Sequence, residues 1–170
     1  TYFSNYTPEI YKTNDDIWKK MSKTNFRRNY HSTSLLLPDG RIFVAGGDVW
    51  NAQFFYPPYL FTKDNKGKTI LAKRPKIEEL KKTITNRKEQ IMIVDDSDDV
   101  EKISLISTGS TTHAQASELK YLSLDFKKIS KTQIRFSIPE NKNNVSDGTY
   151  LIFTVSSSGI PSKGKITYIK

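Results

Sequence analysis

Tyrosine and histidine stand side by side at positions 30 and 31, in the stretch RNYHSTSLLLPDG that leads into a strand-like run. The chain has only two histidines and no cysteine, which excludes a disulfide framework and any thiolate metal site built by this chain alone. Imidazole and phenol groups can bind a transition-metal ion. A lone histidine beside a tyrosine is more often a hydrogen-bonded core or surface residue, so the wider pattern has to decide.

Strand signals dominate the rest of the chain. The segments are short, rich in β-branched or aromatic residues, often alternating, and bounded by Gly, Pro, Asn or Asp. They are RIFVAGG, QIMIV, KISLIS, KYLSLDF, QIRFSI, TYLIFTV and KITYI. One helix candidate, KIEELKKT, is short and poorly capped, and we interpret it as loop or strand edge. The sequence therefore predicts an all-β protein.

A change of composition divides the chain near residue 57, where YPPYLFTKDNKGKTILAKRPKI interrupts the strand pattern. Residues 57–170 hold about seven short strands, a spacing typical of an immunoglobulin-like sandwich. Residues 1–56 contain a tryptophan after a polar turn and two strands joined by PDGR and closed by Gly46 and Gly47. This pattern resembles the last blade of a kelch β-propeller. A single blade cannot bury its own faces, so this propeller is predicted to be incomplete in the chain.

The charge of the chain is strongly positive, with 27 Lys and Arg against 18 Asp and Glu and a net charge of +9. Such a balance can favour nucleic acid or acidic surfaces. The lysines are scattered through turn-like stretches and are not gathered with aromatics on one face, so we interpret them as solvated surface and expect no nucleic-acid partner. Because no apolar stretch is long enough, we also expect no membrane span, and the first residues lack the features of a signal peptide.

Several motifs in order resemble the C-terminal part of the galactose oxidases and glyoxal oxidases, the copper radical oxidases. They are RNYHSTSLLLPDGRIFVAGG, NAQFFYPPYLF, RPKI, SLISTGSTTHAQASELKYLSLDF and GTYLIFTVSSSGIPSKGKI. The likeness runs from about Thr7 to Lys170, and its specificity comes from several motifs recurring in order at compatible spacing. It implies a kelch blade followed by an immunoglobulin-like (early-set) domain.

The resemblance also implies a metal site and a reaction. It maps a Tyr-His pair of the last propeller segment onto Tyr30 and His31, and a histidine on a sandwich loop onto His113, so that both histidines of the chain become copper ligands. The implied reaction oxidises a primary alcohol or an aldehyde with O₂ and releases hydrogen peroxide, with Tyr30 as the axial base. The tyrosyl radical residue is expected outside this chain, which alone is not expected to be active.

The site also makes demands on the backbone. Adjacent residues on a regular strand point to opposite faces, so Tyr30 and His31 can share one ion only if the strand ends or bends there. We therefore expect an irregularity at this point. The Ser- and Thr-rich run before His113 is predicted to be a loop that reaches into the propeller.

The chain also departs from the family pattern around the site. Ser107 and Thr108 stand where the family often has an arginine, and Leu119 and Lys120 replace a common Gln-Arg. A second hypothesis is therefore a non-catalytic glycan-binding, adhesion or structural module that kept the family fold. The expected partners are the remaining propeller blades, in the same or another polypeptide, and an alcohol, aldehyde or carbohydrate substrate. The resemblance implies an extracellular or surface-associated protein.

Overall fold

The computed structural model describes residues 6–113 and 115–170, so residues 1–5 of the predicted propeller portion lie outside the described residues. The described chain is built of β-strands with one short 3₁₀ helix, and the predicted all-β fold is confirmed. The first five strands are β1 (Glu9–Lys12), β2 (Ile17–Lys20), β3 (Ser32–Leu36), β4 (Ile42–Gly46) and β5 (Ala52–Phe55). Strands β1 and β2 pair as a hairpin, and β3, β4 and β5 form a three-stranded antiparallel sheet that we call the blade.

The turn between β3 and β4 follows directly from the residues Pro38, Asp39 and Gly40. Proline presets the backbone for the turn, and Gly40 adopts a φ of 83°, which a residue with a side chain rarely does. The Gly40 amide donates to the Leu37 carbonyl at 2.8 Å, and the Asp39 carboxylate accepts from the Arg41 amide at 3.0 Å. The predicted pair of strands joined by PDGR is therefore confirmed.

Strand β5 was not among the strands predicted from the sequence. It forms because Phe54 lies directly opposite Phe43 of β4, and their rings are in contact with centroids 5.8 Å apart. Cross-strand aromatic pairs of this kind stabilise a sheet edge. After β5 the chain passes through a 3₁₀ helix (Pro58–Leu60) into a small hairpin of β6 (Phe61–Lys63) and β7 (Thr69–Leu71).

The remaining strands form a two-layered sandwich and one separate hairpin. They are β8 (Ile77–Glu79), β9 (Thr83–Ile84), β10 (Gln90–Val94), β11 (Val100–Ser107), β12 (Ser110–Thr112), β13 (Gln115–Ser117), β14 (Tyr121–Leu124), β15 (Phe126–Ser130), β16 (Gln133–Phe136), β17 (Gly148–Ser156) and β18 (Lys165–Ile169). One sheet has the order β15-β16-β10-β8 and the other β14-β11-β17-β18-β9. Strands β12 and β13 pair only with each other within the described chain.

The hydrophobic core lies between these two sheets. Alternation along β10 sends Met92 and Val94 inward, and they are 0% and 1% exposed. The long central strand β17 contributes Tyr150 and Ile152, both almost fully buried. The other members of the core are Ile77, Ile84, Val100, Ile103, Leu105, Leu124, Ile134, Phe136, Ile138, Val145 and Ile169. The sandwich is thus the part of the chain that buries a sizeable core, and the blade is more exposed.

The expected number of strands after residue 57 was wrong, because β6 to β18 are thirteen strands and about seven were predicted. Two small hairpins, β6–β7 and β12–β13, carry strands that the sequence pattern did not separate from loops. The segment KYLSLDF divides into β14 and β15 at Asp125. The interpretation of KIEELKKT as strand edge is confirmed, because it contributes the short strands β8 and the start of β9. Among the described residues, none of the helical segments has the length and apolar character to cross a membrane.

Candidate metal centre

Tyr30 and His31 lie in a turn immediately before β3, where the sequence predicted an irregularity. The Ser32 amide closes this turn by donating to the Asn29 carbonyl at 3.0 Å, and His31 has a φ of 64°. A left-handed backbone costs a residue with a side chain about 1–2 kcal/mol. Here it brings the two neighbouring side chains to one side, with ring centroids 4.0 Å apart and planes at 69°. The predicted break in the strand is confirmed.

The double glycine at the end of β4 holds this turn in place. Gly46 and Gly47 have φ values of 75° and 73°. A Cβ on Gly46 would lie 2.6 Å from the His31 carbonyl oxygen, and one on Gly47 would lie 2.6 Å from the Asn29 amide nitrogen. No real Cβ tolerates such a distance to backbone, so only glycine lets the two backbones pass this closely. The backbone that these two glycines approach is the one that carries the Tyr-His pair.

Arg28 ties the start of the same turn to the loop that follows the glycines. One of its Nη atoms donates to the Gly46 carbonyl at 2.9 Å. The other donates to the side-chain oxygens of Asn51 at 2.6 Å and Gln53 at 3.2 Å. The planar guanidinium can serve several acceptors at once, which a lysine cannot. Sequence reasoning did not single out Arg28, and its position two residues before Tyr30 was the only available signal.

His113 lies at the tip of the β12–β13 hairpin. Thr112 pairs with Gln115, which leaves His113 at the first of the two linking positions, and its φ is 52°. Two-residue hairpins favour left-handed backbone at their centre. The base of the hairpin is closed by Ser107, whose hydroxyl donates to the Glu118 carbonyl and accepts from the Lys120 amide, both at 2.7 Å. The segment predicted as a loop is therefore a short hairpin with the histidine at its end.

The hairpin brings His113 to the blade, because β12 has Cα atoms within 8 Å of β3. The His113 ring centroid lies 4.5 Å from that of His31 and 5.5 Å from that of Tyr30. All three predicted site residues are thus brought together from two separate modules. All three side chains are exposed, Tyr30 at 67%, so the cluster is open to solvent on this chain.

The spacing and chemistry of these groups fit a bound metal ion. A metal–imidazole nitrogen distance of about 2.0–2.1 Å puts the ring centroid about 3.2 Å from the ion, so two rings at a right angle are about 4.5 Å apart. This equals the separation of the His31 and His113 centroids. Within the described residues, no group of three or more His, Cys, Asp or Glu side chains could hold a metal ion. Tyr30 is the third ring of the cluster, and two imidazoles with a phenol oxygen are donors that suit Cu(II).

Comparison with known proteins identifies the family. The sequence profile described as "Galactose oxidase-like, Early set domain" matches residues 74–169, more than half of the chain. The chain belongs to this family. The resemblance predicted from the sequence motifs is therefore confirmed.

Relatives of the galactose oxidase-like chain extend over both modules. Galactose oxidase from Gibberella zeae is 33% identical over 165 residues, covering 92% of this chain and 24% of that protein. Aldehyde oxidase GLOX1 from Arabidopsis thaliana is 25% identical over 183 residues, covering 95% of this chain and 30% of that protein. The chain thus spans about a quarter of the length of its galactose oxidase relative.

A solved structure shares the fold of nearly the whole galactose oxidase-like chain. It is a fungal alcohol oxidase of the AA5 family in complex with copper, with a TM-score of 0.85 and 23% identity, and the match covers 98% of this chain and 36% of that one. The blade and the sandwich therefore occur together in the same arrangement in that larger protein.

Proposed function

We propose that this chain is the C-terminal portion of a copper radical oxidase that oxidises a primary alcohol or an aldehyde with O₂ and releases hydrogen peroxide. It would supply three copper ligands, Tyr30, His31 and His113. The observation that carries the proposal is the convergence of these three rings from two modules, with centroids 4.0 to 5.5 Å apart. Similarity to an alcohol oxidase in complex with copper supports this choice of metal.

The reaction assigns a role to each of the three side chains. Oxidation of RCH₂OH to RCHO removes two electrons and two protons, and O₂ takes up both to become H₂O₂. When bound, copper together with a tyrosyl radical supplies two one-electron acceptors. Tyr30 would accept the hydroxyl proton of the substrate at its phenolate oxygen, as a general base. His31 and His113 would act as neutral nitrogen donors that hold the centre between the blade and the sandwich.

The exposure of Tyr30 is consistent with this role. Its side chain is 67% exposed on this chain. A base has to come within hydrogen-bonding distance of the proton it removes. The backbone around the pair is held by Arg28 and the double glycine, so the phenol and imidazole would keep their relative positions during a reaction cycle.

The rest of the site would come from other blades. We infer that residues 1–56 form the end of a kelch propeller and residues 57–170 the early-set domain, with the remaining blades in the same or another polypeptide. The radical tyrosine, which the family bonds to a cysteine, would belong to those blades. On the same likeness we place the protein outside the cell or at its surface.

Copper titration and a peroxide assay on the complete protein test this proposal. We expect one tightly bound copper per protein and O₂-dependent peroxide release with primary alcohols or aldehydes. Variants H31A and H113A should each bind copper more weakly than the wild type and lose activity. Y121F is a control for substitution of a nearby aromatic ring, because Tyr121 is 55% exposed beside the hairpin and is not part of the cluster. It should keep wild-type copper binding and activity. Full copper binding in H31A and H113A would contradict the proposal.

The second candidate is a non-catalytic glycan-binding or adhesion module. Leu119 and Tyr121 favour it, because both are more than half exposed on the sandwich beside the His113 hairpin, where they offer an apolar surface to a partner. A complete protein that binds no copper and yields no peroxide, yet binds carbohydrate through this surface, would select this candidate.

A further inference from the structure

Arg74 connects the sandwich to the blade through three backbone carbonyls. Its Nε donates to the Pro161 carbonyl at 2.7 Å, and one Nη donates to the Ser162 carbonyl. The other Nη donates to the Asp39 carbonyl in the β3–β4 turn. Arg74 is half-buried, and burial lowers its pKa from the usual value. A side chain that is desolvated and fully engaged in this way fixes the distance between the elements it bonds.

The two segments that accept hydrogen bonds from Arg74, one in the sandwich and one in the blade, are each hydrogen-bonded to further residues. On the sandwich side, Ser162 is 0% exposed, its amide donates to the Thr154 carbonyl at 2.7 Å, and its hydroxyl accepts from the Thr154 amide at 3.1 Å. Thr154 belongs to β17, the central strand that pairs with β11. Strand β11 continues through residues 108 and 109 into β12. The loop that contains Pro161 and Ser162 is thus bonded to the sheet whose strand β11 leads into the His113 hairpin.

On the blade side, the β3–β4 turn receives further hydrogen bonds. The Gly164 amide donates to the Pro38 carbonyl at 2.7 Å, and the Tyr59 hydroxyl donates to the Gly40 carbonyl at 2.7 Å. A Cβ on Gly40 would lie 3.2 Å from an Nη atom of Arg74. The turn therefore lies tightly against the arginine and the sandwich.

These contacts hold the sandwich at two places along β3. Arg74 bonds the turn that follows β3, while β12 lies against β3 and the His113 ring contacts Tyr30 and His31, which immediately precede β3. β3 has five residues, which at about 3.3 Å per residue gives a length of about 17 Å. A single contact would leave the sandwich free to tilt about it. Two contacts this far apart fix the tilt, and with it the separation of His113 from the Tyr-His pair.

We infer that Arg74 is a positioning residue for the candidate metal centre, because its bonds to Asp39, Pro161 and Ser162 hold the His113 hairpin against the blade. This inference rests on the proposed function for its metal-binding consequence, but its structural part does not depend on a metal. The three hydrogen bonds described for Arg74 go to Asp39, Pro161 and Ser162 and not to a histidine. Its effect on the centre is transmitted through the alignment of the two modules.

Arg87 is a matched comparison within the same chain. It also donates to three backbone carbonyls, those of Lys170 at 3.1 Å, Pro139 at 3.2 Å and Val145 at 2.6 Å, and to the Asp147 carboxylate at 2.8 Å. All of these partners belong to the sandwich, and none to the blade. Weakening Arg87 should therefore destabilise the sandwich without tilting it on the blade.

The test compares R74K with R87K in the complete protein. A lysine keeps the charge but cannot reach three separate carbonyls with fixed geometry. The first readout is hydrogen exchange of the metal-free protein in peptides that cover residues 28–36 and 108–118. We expect R74K to speed exchange in both peptides, while R87K speeds it mainly in peptides around residues 139–147 and at the C-terminus.

The second readout is copper affinity by titration. R74K should weaken copper binding by about tenfold, the lower end of the effect of removing a direct hydrogen-bond partner of a metal ligand, because Arg74 acts through the alignment of the modules; R87K should keep wild-type affinity. Y59F is a milder variant that removes one hydrogen bond to the same turn, and it should shift exchange of residues 28–36 in the same direction. It keeps the test decisive if R74K does not fold.

The outcomes separate the inference from the proposed function. If the wild-type protein binds no copper, the proposed function fails, and hydrogen exchange still decides the role of Arg74. Unchanged exchange at residues 108–118 in R74K and at residues 28–36 in Y59F would overturn the positioning role. Equal losses of copper affinity in R74K and R87K would overturn it as well, because a general loss of stability would then explain both.

Discussion

Replacing Gly46 by alanine tests how the Tyr-His turn is held. Gly46 has a φ of 75°, and an added Cβ would lie 2.6 Å from the His31 carbonyl oxygen. The left-handed backbone costs alanine about 1–2 kcal/mol. Relief of the contact requires the His31 backbone to move, and overpacking of this kind costs about 1–3 kcal/mol more. We therefore expect G46A to lower the free energy of unfolding by about 2–5 kcal/mol.

Gly67 provides the matched control, because its φ of 76° is almost the same and a Cβ there would meet nothing within 4 Å. G67A should lose only the backbone contribution of about 1–2 kcal/mol. The difference between the two variants in denaturant unfolding of the complete protein isolates the contact with His31. G46A should also weaken copper binding at least tenfold, while G67A keeps wild-type affinity. Equal destabilisation by the two variants, with equal copper affinity, would refute the account of the double glycine.

Three further predictions concern the base, the acidic turn and the core. Y30F removes one of the three proposed ligands but leaves both imidazoles, so it should bind copper more weakly and still be loaded by excess copper. In that loaded state it should lower kcat for peroxide production by about 10²- to 10⁴-fold; an unchanged kcat would exclude Tyr30 as the proton acceptor. A hydrogen bond from Arg41 holds the pKa of Asp39 below its usual value of 3.8. The stabilising contribution of the Asp39 carboxylate is therefore present above that pH and is lost as the pH falls through the lowered pKa. In acid unfolding, D39N should be less stable than the wild type at neutral pH and equally stable at the lowest pH; a stability difference that stays constant with pH would contradict this. I152A, at a 0% exposed position of β17, should destabilise the sandwich by about 2–5 kcal/mol in thermal or denaturant unfolding; a loss below about 1 kcal/mol would mean that this strand is not central to the core.

Much of the fold could be predicted because the local signals agree with the tertiary structure. Alternation along QIMIV places Met92 and Val94 in the core, and the PDG turn between β3 and β4 depends on residues that are adjacent in sequence. β5 was missed because Phe54 forms a strand only once Phe43 lies opposite. The β12–β13 hairpin was missed as well, because a run of Ser and Thr carries turn signals whether or not the strands pair.

The site could be predicted only in part, because the residues that support it are far apart in the sequence. Tyr30, His31 and His113 were found through the ordered motifs of the family. The supports of the site depend on contacts between residues far apart in the chain. Arg74, for example, bonds Pro161 across 87 positions, and the backbone that Gly46 approaches belongs to residue 31. Such partners leave no periodic or local pattern in a single sequence.

Pulsed electron paramagnetic resonance of the copper-loaded complete protein tests the central claim most directly, because it counts the imidazole nitrogens bound to Cu(II). The account predicts two imidazoles in the wild-type protein, with one signal lost in H31A and the other in H113A. A copper spectrum that neither substitution changes would contradict the claim that the blade and the sandwich share one metal centre.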